Sequence, residues 1–256
     1  MTQSNKNKIK VLLKGIETGD PESVKVVNED KYIQHNPLTA EGSEGLANLF
    51  KRLSKMSPKV SIIRIFEDGD FVFAHTDYDF NVREVCFEVF RFEEGFAVEH
   101  WDNLQDKAAA SNTSNHTMID GAVTASELDK TEVNREFIRS FVDKVLINRK
   151  LSELEDFISI EDFVEHNPRL EDGITSLHSA LSKRTSNDNF EIRYETLHHL
   201  LAEGDFVLSI CEGYLNEVHS SFYDLYRISN GKVVEHWDTT DVVPLRSEWK
   251  NENGKF

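Results

Sequence analysis

Three blocks of this sequence occur twice, in the same order. YIQHNP (32–37) matches FVEHNP (163–168), EDGDFVFA (67–74) matches AEGDFVLS (202–209), and FRFEEGFAVEHWDN (90–103) matches YRISNGKVVEHWDT (226–239). His35 and His166 are 131 positions apart, and Trp101 and Trp237 are 136 apart, so the spacing hardly drifts. A fixed long period is the signature of duplicated supersecondary units. Two copies are too few for a solenoid, so each copy must bury its own core or pack on its twin. The segment between them is small and polar, which places domain one at 1–108, a linker at 109–126 and domain two at 127–256.

Each copy reads as helices first and strands after. In copy one, Ile9, Leu12, Leu13 and Ile16 recur at helical spacing, Gly19-Asp20-Pro21 interrupts, and PESVKVV starts a second short helix with Pro in its first turn. SEGLANLFKRLS is a third, amphipathic helix. Four strands follow: KVSIIRIFE, DFVFAHTDYDF, REVCFEVFRF and FAVEHWDNLQ. Copy two repeats this with one long helix over 132–147, two shorter helices, and four strands whose last hairpin turns at Ser229-Asn230-Gly231. That order predicts an α+β fold with helices packed on one face of a curved antiparallel sheet. Such a sheet, closed by helices, makes a cone with an apolar pocket.

Charge and cysteine usage narrow the functions. A formal net charge of −17 repels phosphate backbones and anionic lipid, so neither nucleic acid nor membrane is expected as a partner. Cys86 and Cys211 lack neighbours at metal-ligand spacing and occupy non-equivalent places, which reads as two packed thiols in a reducing compartment. The N-terminal segment lacks the apolar core of a secretion signal, so a cytoplasmic location is expected. No HExxH, paired-Cys, phosphate-loop or nucleotide motif occurs, and neither a metal nor any other cofactor is expected.

The His-Asn-Pro block, the Gly-Asp-Phe-Val strand and the Glu-His-Trp-Asp block after an Phe-Arg-turn-Gly hairpin resemble the SnoaL-like, polyketide cyclase-like branch of the nuclear-transport-factor-2-like superfamily. The resemblance covers most of both copies. It implies two tandem cone-shaped domains whose mouths hold a small apolar molecule. It also implies an internal pseudo-dimer of the two domains, and allows a homo-oligomer. Activities in this branch include aldol cyclisation, isomerisation and dehydration, so fold alone does not choose among them.

Several residues are candidates for chemistry. Asp102 and Asp238 end the Glu-His-Trp-Asp block, where cyclase relatives carry an acidic general base. Period-two alternation puts His100 with Asp102 on one face and Trp101 on the other, and likewise His236, Asp238 and Trp237. A His–Asp pair could be base and orienter; the alternative is a surface polar pair beside a buried Trp. Glu88 and Asp224 align and alternate with large apolar residues, as does the enolate-binding acid of ketosteroid isomerase relatives; the alternative is an acid facing solvent. In those relatives an aspartate base precedes the Pro, where this chain has Asn36 and Asn167, so His35 and His166 are the remaining candidate bases there. The alternative is a turn with Asn bonding the backbone. His75 is opposed by Ile210, and Tyr32 by Phe163, so the copies are not chemically equivalent. The expected catalytic set is His35, His75, Glu88, Asp102, His166, Asp224 and Asp238. The expected ligand-binding set is Tyr32, Asn36, His100, Trp101, Phe163, Asn167, His236 and Trp237. The functions in view are a cofactor-free enzyme doing acid/base chemistry next to a carbonyl, and a non-catalytic small-molecule-binding or dimerisation module.

Overall fold

Ile9, Leu12, Leu13 and Ile16 share one side of α1 (Asn5–Thr18), and all four are buried. Ser4 caps this helix by accepting from the Asn7 N–H, and Gly19 ends it in the left-handed conformation at φ 68°. The computed structural model describes residues 3–256. After α1 come a 3₁₀ turn at Pro21–Val26, β1 (Ile33–Gln34), α2 (Gly42–Leu53), and a meander of β2 (Lys59–Asp68), β3 (Phe71–Asp79), β4 (Arg83–Glu93) and β5 (Phe96–Asp106). The second half repeats the plan with α3 (Thr131–Phe141), α4 (Leu154–Phe157), β6 (Val164–Glu165), α5 (Ile174–Ser182), β7 (Ile192–Glu203), β8 (Phe206–Leu215), β9 (Val218–Ser229) and β10 (Lys232–Val242).

Each half forms one five-stranded sheet, in the orders β1-β5-β4-β3-β2 and β6-β10-β9-β8-β7. The four long strands pair antiparallel in sequence order, and the two-residue strand joins the last of them in parallel. The fold is therefore α+β, twice over, as the repeat requires. The last hairpin of the second sheet turns on Asn230 and Gly231, both left-handed at φ 52° and 73°, the geometry of a two-residue turn between twisted strands. Helices cover one face of each sheet. In the first half α1 and α2 bury Leu12, Leu46 and Phe50 against Cys86 and Phe90; in the second, Ile138, Phe141 and Phe157 pack on Cys211, Phe222 and Tyr226.

Three local features differ from the sequence reading. The helix expected as one piece over 132–147 changes winding at Val142–Ile147 to a π-helical stretch, which keeps Val142, Val145 and Leu146 all buried. The Pro21 segment is 3₁₀ rather than α-helical. The His-Asn-Pro blocks are preceded by strands, β1 and β6, too short to carry a periodic signal.

The chain divides into two compact units, with breaks where β5 and β10 end. Unit one holds the chain up to Asp106 together with Val243–Phe256, and unit two is Lys107–Val242. The segment read as a linker is thus a packed arm of unit two, and the C-terminal segment is a packed arm of unit one. Asn112 and Asn251 show why. Asn112 Nδ2 donates to Glu165 O at 2.7 Å, and Asn251 Nδ2 donates to Asn36 O at 2.8 Å and Thr39 O at 2.9 Å, so each arm supplies donors to carbonyls in or just after a short parallel strand. Among the described residues no helix is long and apolar enough to cross a membrane.

Candidate functional site

Register decides which side chains meet. In unit two, β6 pairs Glu165 with His236, and β10 pairs Asp238 with Asp224 of β9. These groups line up on the helix-covered face as a charged chain. His236 Nδ1 lies 3.0 Å from both Glu165 oxygens, its Nε2 lies 3.2 Å from Asp224 Oδ1, and that same oxygen accepts from the Tyr194 hydroxyl at 3.1 Å. Burial opposes charge on the His236 ring, but the carboxylates on both sides outweigh it and hold its pKa well above the ordinary range. Burial and the Asp224 charge keep the Tyr194 hydroxyl protonated.

Asp238 adjoins this chain across the β9–β10 pairing. Asn167 Nδ2 donates to its Oδ2 at 2.7 Å, while its Oδ1, shielded from water, accepts no hydrogen bond. Desolvation, reinforced by the Glu165 and Asp224 charges, raises the Asp238 carboxyl to about 6 against the pull of His236. It faces a cavity of about 600 Å³ walled by Asn167, Leu170, Tyr194, Phe222 and Thr240. That volume suits a small organic ligand.

Unit one builds a related chain with several changes. Gln34 replaces Glu165: His100 Nδ1 lies 2.9 Å from Gln34 Oε1, and its Nε2 lies 2.6 Å from Glu88 Oε2. Tyr78, from β3 rather than from the edge strand that supplies Tyr194, donates to Glu88 Oε1 at 2.6 Å. Burial disfavours both charges, yet their mutual attraction holds the Glu88 carboxyl below and the His100 ring above their ordinary values. A further change concerns Asp102. Asn36 Nδ2 donates to its Oδ2 at 2.8 Å, as Asn167 does to Asp238, but Lys255 of the C-terminal arm places its Nζ 3.8 Å from Oδ1. Lys255 is only 3% exposed. The cavity beside these groups is about 250 Å³ and more apolar, walled by Leu12, Leu46, Phe50, Tyr78, Phe90 and Leu104.

Of the residues expected from the sequence, Glu88, His100, Asp102 and Asn36 line the first cavity, and Asn167 and Asp238 the second. Asp224 and His236 stand behind Tyr194 and Asp238 in the same bonded chain. His35, His166, Trp101 and Trp237 do not line either cavity. The parallel strand puts Gln34 and Glu165 on the cavity face, so the next residue faces away, and each His stacks on its Trp at 4.7 Å and 4.6 Å. His75 also faces away, stacked on Phe87 at 4.4 Å. Tyr32 is buried, its hydroxyl 3.4 Å from Gln34 Nε2, and Phe163 belongs to the apolar core of unit two. Sequence reasoning passed over Gln34, Glu165, Tyr78, Tyr194 and Lys255. The Gln34/Glu165 difference was visible within the aligned YIQHNP and FVEHNP blocks.

No protein-family model matches the chain, and no curated protein matches it. Solved structures do resemble it. They include TsrD from Streptomyces laurentii, at 18% identity over 40% of this chain and 92% of that one with a TM-score of 0.35. An NTF2-like protein of unknown function from Cytophaga hutchinsonii has 19% identity over 41% and 93%, with a TM-score of 0.36. An LEH-like epoxide hydrolase from M. tuberculosis has 18% identity over 39% and 81%, with a TM-score of 0.35. Each spans about the length of one unit, and NTF2-like is the fold that the repeated motifs resemble.

Proposed function

We propose that unit two is the catalytic half of a cofactor-free enzyme that removes a proton next to a carbonyl on a small apolar molecule, with Asp238 as general base. The observation that supports this reading is the Asp238 carboxylate: it faces a ligand-sized cavity, is oriented by Asn167, has one oxygen without a hydrogen bond, and titrates at about 6. A base of that strength is largely ionised at neutral pH yet basic enough to accept a carbon-bound proton, and such a group contributes about 10²–10⁴-fold in rate. Glu165, His236 and Asp224 hold Asp238 in a fixed field, and Tyr194 sets a phenol at the same wall. The reaction class is that of an aldol cyclase, isomerase or dehydratase.

Unit one reads as a non-catalytic binding pocket. Its equivalent carboxylate, Asp102, lies beside a buried ammonium, with the Lys255 Nζ 3.8 Å from its Oδ1. The two readings separate in one assay: deuterium exchange at the carbon next to the carbonyl of β-tetralone in heavy water, followed by NMR. Exchange above buffer is expected, reduced about 100-fold or more by Asp238→Asn and little changed by Asp102→Asn. Exchange insensitive to Asp238→Asn overturns the assignment.

A further inference from the structure

The faces of His166 and Trp237 that turn away from the cavity carry a second cluster. His166 Nδ1 lies 2.8 Å from Asp120 Oδ1, and His116 Nδ1 lies 3.8 Å from Asp120 Oδ2. One donor atom from each of His116, Asp120 and His166 falls within a sphere that a single metal ion could hold. Tetrahedral zinc with bonds of about 2.1 Å sets its ligands about 3.4 Å apart, and the two separations bracket that figure.

The far nitrogens strengthen the argument. His166 Nε2 is 3.0 Å from Glu235 Oε1, and His116 Nε2 is 3.2 Å from Asp172 Oδ2. Both imidazoles therefore turn Nδ1 towards Asp120 and Nε2 towards a carboxylate. That is the arrangement in which a carboxylate fixes the tautomer and orientation of a metal-bound histidine. Around His166 Nδ1 the other nearby atoms are also acceptors, Asp120 Oδ1 and the Thr117 carbonyl at 2.8 Å. A cation satisfies all of them together. The loop is preset for it: Thr117 N donates to Asp120 Oδ1 at 2.9 Å, and Trp237 Nε1 donates to Asp120 O at 2.9 Å. His116 and Asp120 are partly exposed, so an ion has a route in, whereas His166 is almost fully buried.

We propose that His116, Asp120 and His166 form a site for a divalent cation of the zinc class, completed by the Thr117 carbonyl oxygen or a water. Two imidazoles with one carboxylate favour zinc over magnesium or calcium, which prefer all-oxygen sites. Unit one has no counterpart, because its arm offers the Gly254 carbonyl to His35 at 3.2 Å but no His or Asp beside it among the residues that bond His35. The bound ion would pin the 107–126 arm to the Glu-His-Asn-Pro strand. Through Asp172, which also lines the cavity, it would brace the cavity rim.

The test uses the full chain, stripped with chelator and desalted. Zn²⁺ is titrated in competition with a chromophoric chelator, and Co²⁺ is followed by its visible absorption. One strong site per chain is expected, with the absorption of four-coordinate cobalt and a rise in thermal midpoint on adding Zn²⁺. His116→Ala and Asp120→Asn, checked for folding by circular dichroism, should each weaken binding about 100-fold or more, and Asp172→Asn about tenfold. If the wild type shows no strong site, or if His116→Ala and Asp120→Asn bind Zn²⁺ as the wild type does, the proposal fails. Should one variant not fold, the other decides.

Discussion

Replacing Asp238 with Asn should make the protein more stable at neutral pH, and by an amount that depends on pH in a particular way. The folded state raises this carboxyl from its ordinary 3.8 to about 6. Folding therefore favours the protonated form, and between those two values the native state binds more protons than the unfolded chain. Stability must fall as pH rises through this window and level off above it. Moving a carboxyl that far is worth about 3 kcal/mol once pH exceeds 6, and water at the cavity mouth screens part of this, leaving about 1–3 kcal/mol. An amide carries no charge to bury, and its oxygen can still accept from Asn167 Nδ2. The Asn variant should therefore gain about 1–3 kcal/mol at pH 7.5, or a few degrees in thermal midpoint, and almost nothing at pH 4. Urea unfolding of both proteins at a series of pH values measures the difference. A variant that is equally or less stable at pH 7.5, or whose advantage does not grow between pH 4 and 6, refutes the burial argument and with it the base strength assigned to Asp238.

Three further outcomes are expected. Glu165→Gln gives unit two the polar chain of unit one; removing a charge that raises Asp238 should lower its midpoint below 6, read by carboxyl ¹³C NMR, and should also lower the pKa of His236. Deleting residues 251–256 removes the donors from Asn251 and Asn253 to Asn36, Thr39 and Gln34 as well as Lys255, and should cost roughly 3 kcal/mol, with faster amide exchange concentrated at 33–39. Cys86 and Cys211 are buried, and burial lifts both thiols well above their ordinary value, so iodoacetamide should label neither in the folded protein and both in denaturant, as mass spectrometry will show.

Much of this architecture was legible because it rests on periodicities that a sequence displays. Ile9, Leu12, Leu13 and Ile16 announced a helix, and alternation around Trp101 separated His100 and Asp102 from the indole. The cavity groups that escaped notice lack such a signal. Tyr78 and Tyr194 serve the same carboxylate position from different strands, and only pairing register brings them there. Gln34 and Glu165 were hidden by the conspicuous His beside each of them, although the short parallel strand turns the His away and the quieter residue inward. Lys255 could not be read at all, since it reaches Asp102 across 153 positions of chain.

The exchange of arms also sets a timetable. Unit one includes residues 243–256, made after the whole of unit two, and unit two includes the arm that follows β5. A ribosome adding about 5–20 residues per second spends roughly 8–30 s on residues 107–256 after the first sheet is complete. Through that interval Gln34, Asn36 and Thr39 lack the donors that Asn251 and Asn253 supply, and Asp102 stands without its lysine. The order of assembly is then inverted relative to the order of synthesis: the half that emerges second is the first that can close, and the half that emerges first is the last to finish.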